Sequence, residues 1–106
     1  MPEGLLLVLS DPVEGREPEF VEWYLSEHIP AVVAVPGFVA GTLARRVPSS
    51  LDRPEISQGF VATYETSVEV PVAAQRLMDA VGEGTVTLSP YLDQATLSIS
   101  GLTPLG

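Results

Sequence analysis

Apolar positions along the chain change period several times, and each change marks an element. Leu5-Leu6-Leu7-Val8-Leu9 is a continuous apolar run closed by Ser10-Asp11-Pro12. Its length suits a strand, and the lack of polar alternation predicts one covered on both faces. Asp11 to Pro18, rich in proline, glycine and charge, reads as a loop. From Glu17 to about Val35 the period becomes helical. Pro18 suits a first turn, and Glu17, Glu19 and Glu22 suit the positive end of the helix dipole. At 3.6 residues per turn Phe20, Val21, Tyr24, Leu25 and His28 share one face. Trp23 and Glu27 fall on its shoulder, while Glu19, Glu22 and Ser26 lie opposite. Pro30 cannot donate to the Ser26 carbonyl, so a kink or restart is expected just after His28. Pro36-Gly37 then stops the helix.

Phe38 to Val47 reads as a second strand and Gly59 to Thr66 as a third, joined by the polar loop Ser49 to Glu55. Alternation puts Phe60, Ala62 and Tyr64 on one face, with Val61, Thr63 and Glu65 on the other. Pro71 to Val81 is a second helix with the stripe Ala73, Ala74, Leu77, Met78 and Val81, ended by Gly82 and Gly84. Leu92 to Ser100 is the last strand, where Ala95, Leu97 and Ile99 alternate with Thr96, Ser98 and Ser100. The order β-α-β-β-α-β predicts a ferredoxin-like α+β domain over residues 1–106. Right-handed crossovers put both helices on one side of a four-stranded antiparallel sheet. The other side then carries apolar side chains that a lone chain leaves wet, at roughly 1.5–3 kcal/mol each. A second copy of the sheet packed face to face would cover them, giving a homodimer.

Composition narrows the partners. The net charge is -9 and all five basic residues are arginines, Arg16, Arg45, Arg46, Arg53 and Arg76. Without a basic stripe, nucleic acid and an anionic membrane surface are both poor partners. The absence of cysteine excludes disulfides and thiolate ligands. One histidine and scattered carboxylates give no recognisable metal set, and Gly82-Glu83-Gly84 follows a helix, unlike a phosphate loop. No segment has the pattern of a signal peptide or a bilayer span, so a cytoplasmic location is expected.

Trp23-Tyr24-x-x-Glu27-His28-Ile29-Pro30 followed by Val35-Pro36-Gly37-Phe38 resembles the helix-one signature of EthD-like proteins, in the dimeric α+β barrel superfamily. The resemblance implies that fold across the whole chain. It also implies an activity among those of the superfamily: cofactor-independent monooxygenases, lactone isomerases, polyketide cyclases, dehydratases, haem-degrading enzymes and proteins without assigned activity. Relatives often place an Arg-Tyr pair on the second strand where this chain has Arg45-Arg46.

His28 is the one side chain whose unperturbed pKa permits proton transfer near neutral pH, and it falls within the apolar arc. It is a candidate catalytic base beside a pocket, or else a core histidine satisfied by backbone. Tyr24, one turn earlier, would orient the imidazole or hold a ligand oxygen. Trp23, Phe38 and Tyr64 would line a binding site, or simply pack. Arg45 and Arg46 point to opposite faces of their strand, so one could turn inward to hold a carboxylate or enolate; the plainer reading sends both to solvent. The expected function is a cofactor-free homodimer transferring a proton on a small apolar or aromatic carbonyl compound. The alternative is a non-catalytic ligand-binding, accessory or structural dimer.

Overall fold

Alternation within a strand means that one row of side chains can be covered while its neighbours stay exposed. The computed structural model, which describes Met1–Gly106, follows that rule in its two central strands. Its elements are β1 (Gly4–Pro12), α1 (Glu17–Trp23), a π-helical turn (Tyr24–His28), α2 (Ile29–Val33), β2 (Phe38–Arg45), β3 (Phe60–Thr66), α3 (Val70–Gly82) and β4 (Leu92–Leu102). The four antiparallel strands lie in the order β2-β3-β1-β4, the ferredoxin-like arrangement.

In β1 the buried row is Leu6, Val8 and Ser10, paired with Tyr64, Ala62 and Phe60 of β3. These residues face the helices and meet Phe20, Trp23, Tyr24 and Val32 in one core. Leu5, Leu7 and Leu9 form the alternate row, only half-buried, beside Glu65, Thr63 and Val61. Within one chain β1 is therefore covered on one face, not two as its composition suggested. The strand also runs past Leu9: Asp11 and Pro12 pair with Asp93 and Leu92 after a bulge, so Ser10-Asp11-Pro12 is not a turn.

The first helix departs from regular periodicity. Trp23, expected on the shoulder, is 7% exposed, whereas Leu25, expected on the apolar face, is 54% exposed. The expected break is a π turn immediately before Pro30, with the Ile29 amide donating to the Tyr24 carbonyl five residues back. α3 packs through Ala73 and Ala80, while Met78 of the expected stripe points to solvent. On the edge strand β4, Ile99 is likewise exposed.

Two glycines permit the close packing. Gly37, at φ +105°, turns the chain from α2 into β2 in a conformation that a side chain disfavours. Gly41 lies opposite Tyr64 in the register, and the tyrosine ring covers it. A Cβ there would come within 2.8 Å of Tyr64 Cδ1 and 3.0 Å of Ile29 Cγ2. Gly41→Ala is expected to cost roughly 1–3 kcal/mol through overpacking. Chemical denaturation checks this, and an unchanged midpoint would show that Tyr64 is free to move.

Candidate functional site

The π turn decides what the first helix can present. In an α-helix, residues five apart are offset by well over a quarter turn and cannot stack. A π turn, bonded from each residue to the fifth beyond it, rotates less per residue and brings them closer to one side. Trp23 and His28 stand at that spacing, with ring centroids 4.5 Å apart and planes inclined by 27°. Tyr24 meets the imidazole edge-on at 5.1 Å. Phe20 continues the cluster, edge-on to Tyr24 at 5.2 Å and to Phe60 of β3 at 5.1 Å. The imidazole, partly buried, is thus flanked by Trp23 and Tyr24 of its own helix. The backbone of Thr87, in the segment between α3 and β4, lies against it.

Burial lowers the His28 pKa from 6.5 to about 4, against a smaller opposing effect of the Thr87 backbone. The ring is therefore neutral at physiological pH. Its Nδ1 is buried and has no hydrogen-bond partner. Burial also raises the phenol pKa values of Tyr24 and Tyr64, so both remain protonated. The Ser10 and Tyr64 hydroxyls lie within hydrogen-bonding reach of the Tyr24 phenol. A buried hydroxyl left unpaired costs about 1–3 kcal/mol, so the mutual approach of these three hydroxyls inside an aromatic core has a physical reason.

The structure brings together Trp23, Tyr24 and His28, with Tyr64 reached through Tyr24. Phe38 is buried and touches the group only through Tyr64, at 6.1 Å between ring centroids. The arginines stand apart. Arg45 lies over the outer side of Phe60 and its Nη2 is 3.2 Å from Glu17 Oε2. Arg46 Nε donates to the Gln58 carbonyl at 2.8 Å and Nη1 lies 3.3 Å from Asp52 Oδ2, tying down the β2–β3 loop. Both line one cleft of about 500 Å³ at the end of the sheet, with Asp11 and Glu17 in the same wall. Neither arginine turns inward. None of the main clefts is lined by His28, against which Trp23 and Tyr24 pack instead. Ser10, expected in a turn, is the site member that sequence reasoning missed. Extending the Leu6, Val8 alternation by one step would have found it.

Solved structures of low identity share this fold. The heme-degrader MhuD from Mycobacterium tuberculosis, in a structure with two hemes bound in its active site, aligns over 96% of this chain and 95% of its own. Its TM-score is 0.68 and its identity 14%. A protein from Arabidopsis thaliana aligns over 97% and 96% with a TM-score of 0.63 at 13% identity. An EthD family protein from Bacillus halodurans aligns over 96% and 98% with a TM-score of 0.54 at 16% identity. No family model and no curated protein matches the sequence. The likeness establishes the fold, in agreement with the EthD-like resemblance of Trp23 to Phe38, and leaves the chemistry to the residues. No helix is long and apolar enough to cross a membrane.

The imidazole gives stability a pH dependence of known sign. The unfolded chain takes up a proton near pH 6.5, and the folded chain only near 4. Stability should therefore fall as pH drops through that window and level off below it, by roughly 3 kcal/mol in all. Urea denaturation across the window should show the fall in the native protein and not in His28→Leu, the difference isolating the ring from the carboxylates. Parallel curves would mean that the ring is hydrated.

Proposed function

We propose that the chain works as a homodimer that binds a small apolar or aromatic carbonyl compound beside His28 and moves a proton on it without a cofactor. The observation that supports this most is the neutral, aromatic-flanked imidazole whose buried Nδ1 has no partner.

Burial alone makes the free imidazole a weak base. The balance changes when the proton comes from carbon next to a carbonyl, because an enolate forms as the imidazolium does. That anion supplies the counter-charge the free site lacks and raises the pKa of the ring in the complex. The interaction is stronger in the transition state than before it, which is what catalysis requires. Trp23 and Tyr24 hold the ring plane. The segment Glu83–Pro90, whose Thr87 backbone lies against the ring, is the wall that would have to yield to a ligand.

The dimer reading rests on the open sheet face. Leu5, Leu7, Leu9 and Val61 form a half-buried apolar patch with Thr63, Ser98 and Ser100 around it. Covering such side chains contributes roughly 25 cal/mol per Å² of apolar surface, and a second copy of the same face is self-complementary. Site and interface then occupy opposite faces of one sheet. A second reading, a non-catalytic ligand-binding or accessory dimer, is favoured by the filled interior. It predicts affinity without turnover and tolerance of His28→Gln.

Exchange of carbon-bound protons for solvent deuterium, followed by NMR over a panel of enolisable aromatic ketones, separates the two. His28→Ala should slow exchange by about a hundredfold or more with the fold intact. Unchanged exchange would remove the mechanism, and binding without exchange would favour the accessory reading. Light scattering should give twice the chain mass for the native protein and a monomer for Leu7→Glu. A native monomer stable at micromolar concentration would contradict the packed sheets.

A further inference from the structure

Charges that could neutralise one another are held apart in a cleft of about 410 Å³ between the end of α2 and the second half of α3. Ala31, Ala34 and Val35 line it from the α2 side, and Ala80 from α3. Arg76, Asp79 and Glu83, successive turns of α3 and its C-cap, bring one cation and two anions to the same cleft. Arg76 Nη1 donates to the Pro36 carbonyl at 3.1 Å, while Asp79 Oδ1 accepts from Gln75 Nε2 at 3.0 Å. Arg16, Arg45 and Arg46 each lie within 4 Å of a carboxylate, and Arg76 lies within that distance of none. In a chain of net charge -9, an arginine one turn from Asp79 would ordinarily pair with it. Here the guanidinium is drawn to backbone, and most of its N–H groups remain free to receive an anion.

We propose that this cleft binds a small zwitterion, a carboxylate and an ammonium joined by a short apolar segment. Arg76 receives the carboxylate, and the Pro36 carbonyl orients its guanidinium before the ligand arrives. Gly37 leaves room for that arrangement, since a Cβ there would come within 3.1 Å of Arg76 Nη1. Asp79 and Glu83 receive the ammonium. A helical rise of about 1.5 Å per residue sets Asp79 about 4.5 Å, and Glu83 about 10 Å, along the axis from Arg76. The shorter spacing suits an α-amino acid, and the longer one a chain with its amine at the far end. Ala34, Val35 and Ala80 take the apolar part. Neither half suffices alone, because a bare carboxylate meets repulsion from Asp79 and Glu83 and a bare amine meets it from Arg76. The cleft is open to water, so each charge contact is weak and Kd should be on the order of 1 mM. His28 does not line this cleft, so the site stands whether or not the imidazole moves a proton.

Two isomers, norleucine and 6-aminohexanoate, test the site at neutral pH, with hexanoate and hexylamine as the half-ligands. Each is titrated into the ¹⁵N-labelled native protein, and the amides of Ala34, Ala80 and Thr85 are followed by NMR. At least one isomer should shift these amides and saturate, while both half-ligands bind roughly fivefold more weakly or worse. Arg76→Gln should raise Kd for the bound isomer about five- to tenfold. Asp79→Asn should do the same for norleucine and Glu83→Gln for 6-aminohexanoate, which tells the two spacings apart. Because Arg76 also ties down the Pro36 carbonyl, Ala34→Leu serves as a second variant that obstructs the cleft and leaves the charges in place. It should abolish binding with the native melting temperature retained. No saturable shift with either isomer would overturn the site, as would binding that survives Ala34→Leu. Hexanoate binding as tightly as the better isomer would overturn the zwitterion.

Discussion

Pro30 has no amide hydrogen, so the helix that contains it cannot offer the Ser26 carbonyl an ordinary partner. The chain answers by widening for one turn, Tyr24–His28, before α2 resumes. That local adjustment sets everything chemically distinctive about the protein. It stacks His28 on Trp23, five residues earlier, and carries the imidazole back over the face that holds Phe20 and Tyr24. In regular α-helical register the two rings would diverge and the histidine would be freer to reach water. A missing hydrogen-bond donor thus becomes a buried, neutral ring with an unpaired nitrogen.

β1 links this site to the proposed assembly. Its even-numbered residues, Leu6, Val8 and Ser10, face the helices and end at the hydroxyl group of the site. Its odd-numbered residues, Leu5, Leu7 and Leu9, face outward as the centre of the open apolar patch. In the proposed assembly one strand would serve a ligand with one row and a second copy with the other. That division would keep partner contacts away from the site.

The order of elements was legible because each strand and helix carries its period over enough residues. The place of His28 among apolar residues also followed, from helix geometry. What failed did so for identifiable reasons. Trp23 and Leu25 exchanged roles because the buried arc centres on Phe20 and Tyr24, nearer to Trp23 than a face drawn to include Val21 and His28 allows. The π turn was anticipated only as a kink, since proline reveals a lost hydrogen bond and not how the helix will compensate. Ser10 was missed because Asp11-Pro12 resembles a turn, although the bulge at Asp11 lets the strand continue. The filled interior beside His28 could not be read from composition, because it depends on how four aromatic rings interlock.

Whether the π turn holds a neutral imidazole against Trp23 and Tyr24 can be read from the ring itself. With one histidine in the chain, ring ¹⁵N and ¹³C signals belong to it alone, and an NMR titration from pH 8 down to about 3.5 follows its charge directly. The ring should stay neutral throughout the physiological range and titrate with a midpoint near 4. A midpoint at the ordinary value near 6.5 would place the imidazole in water and contradict that packing.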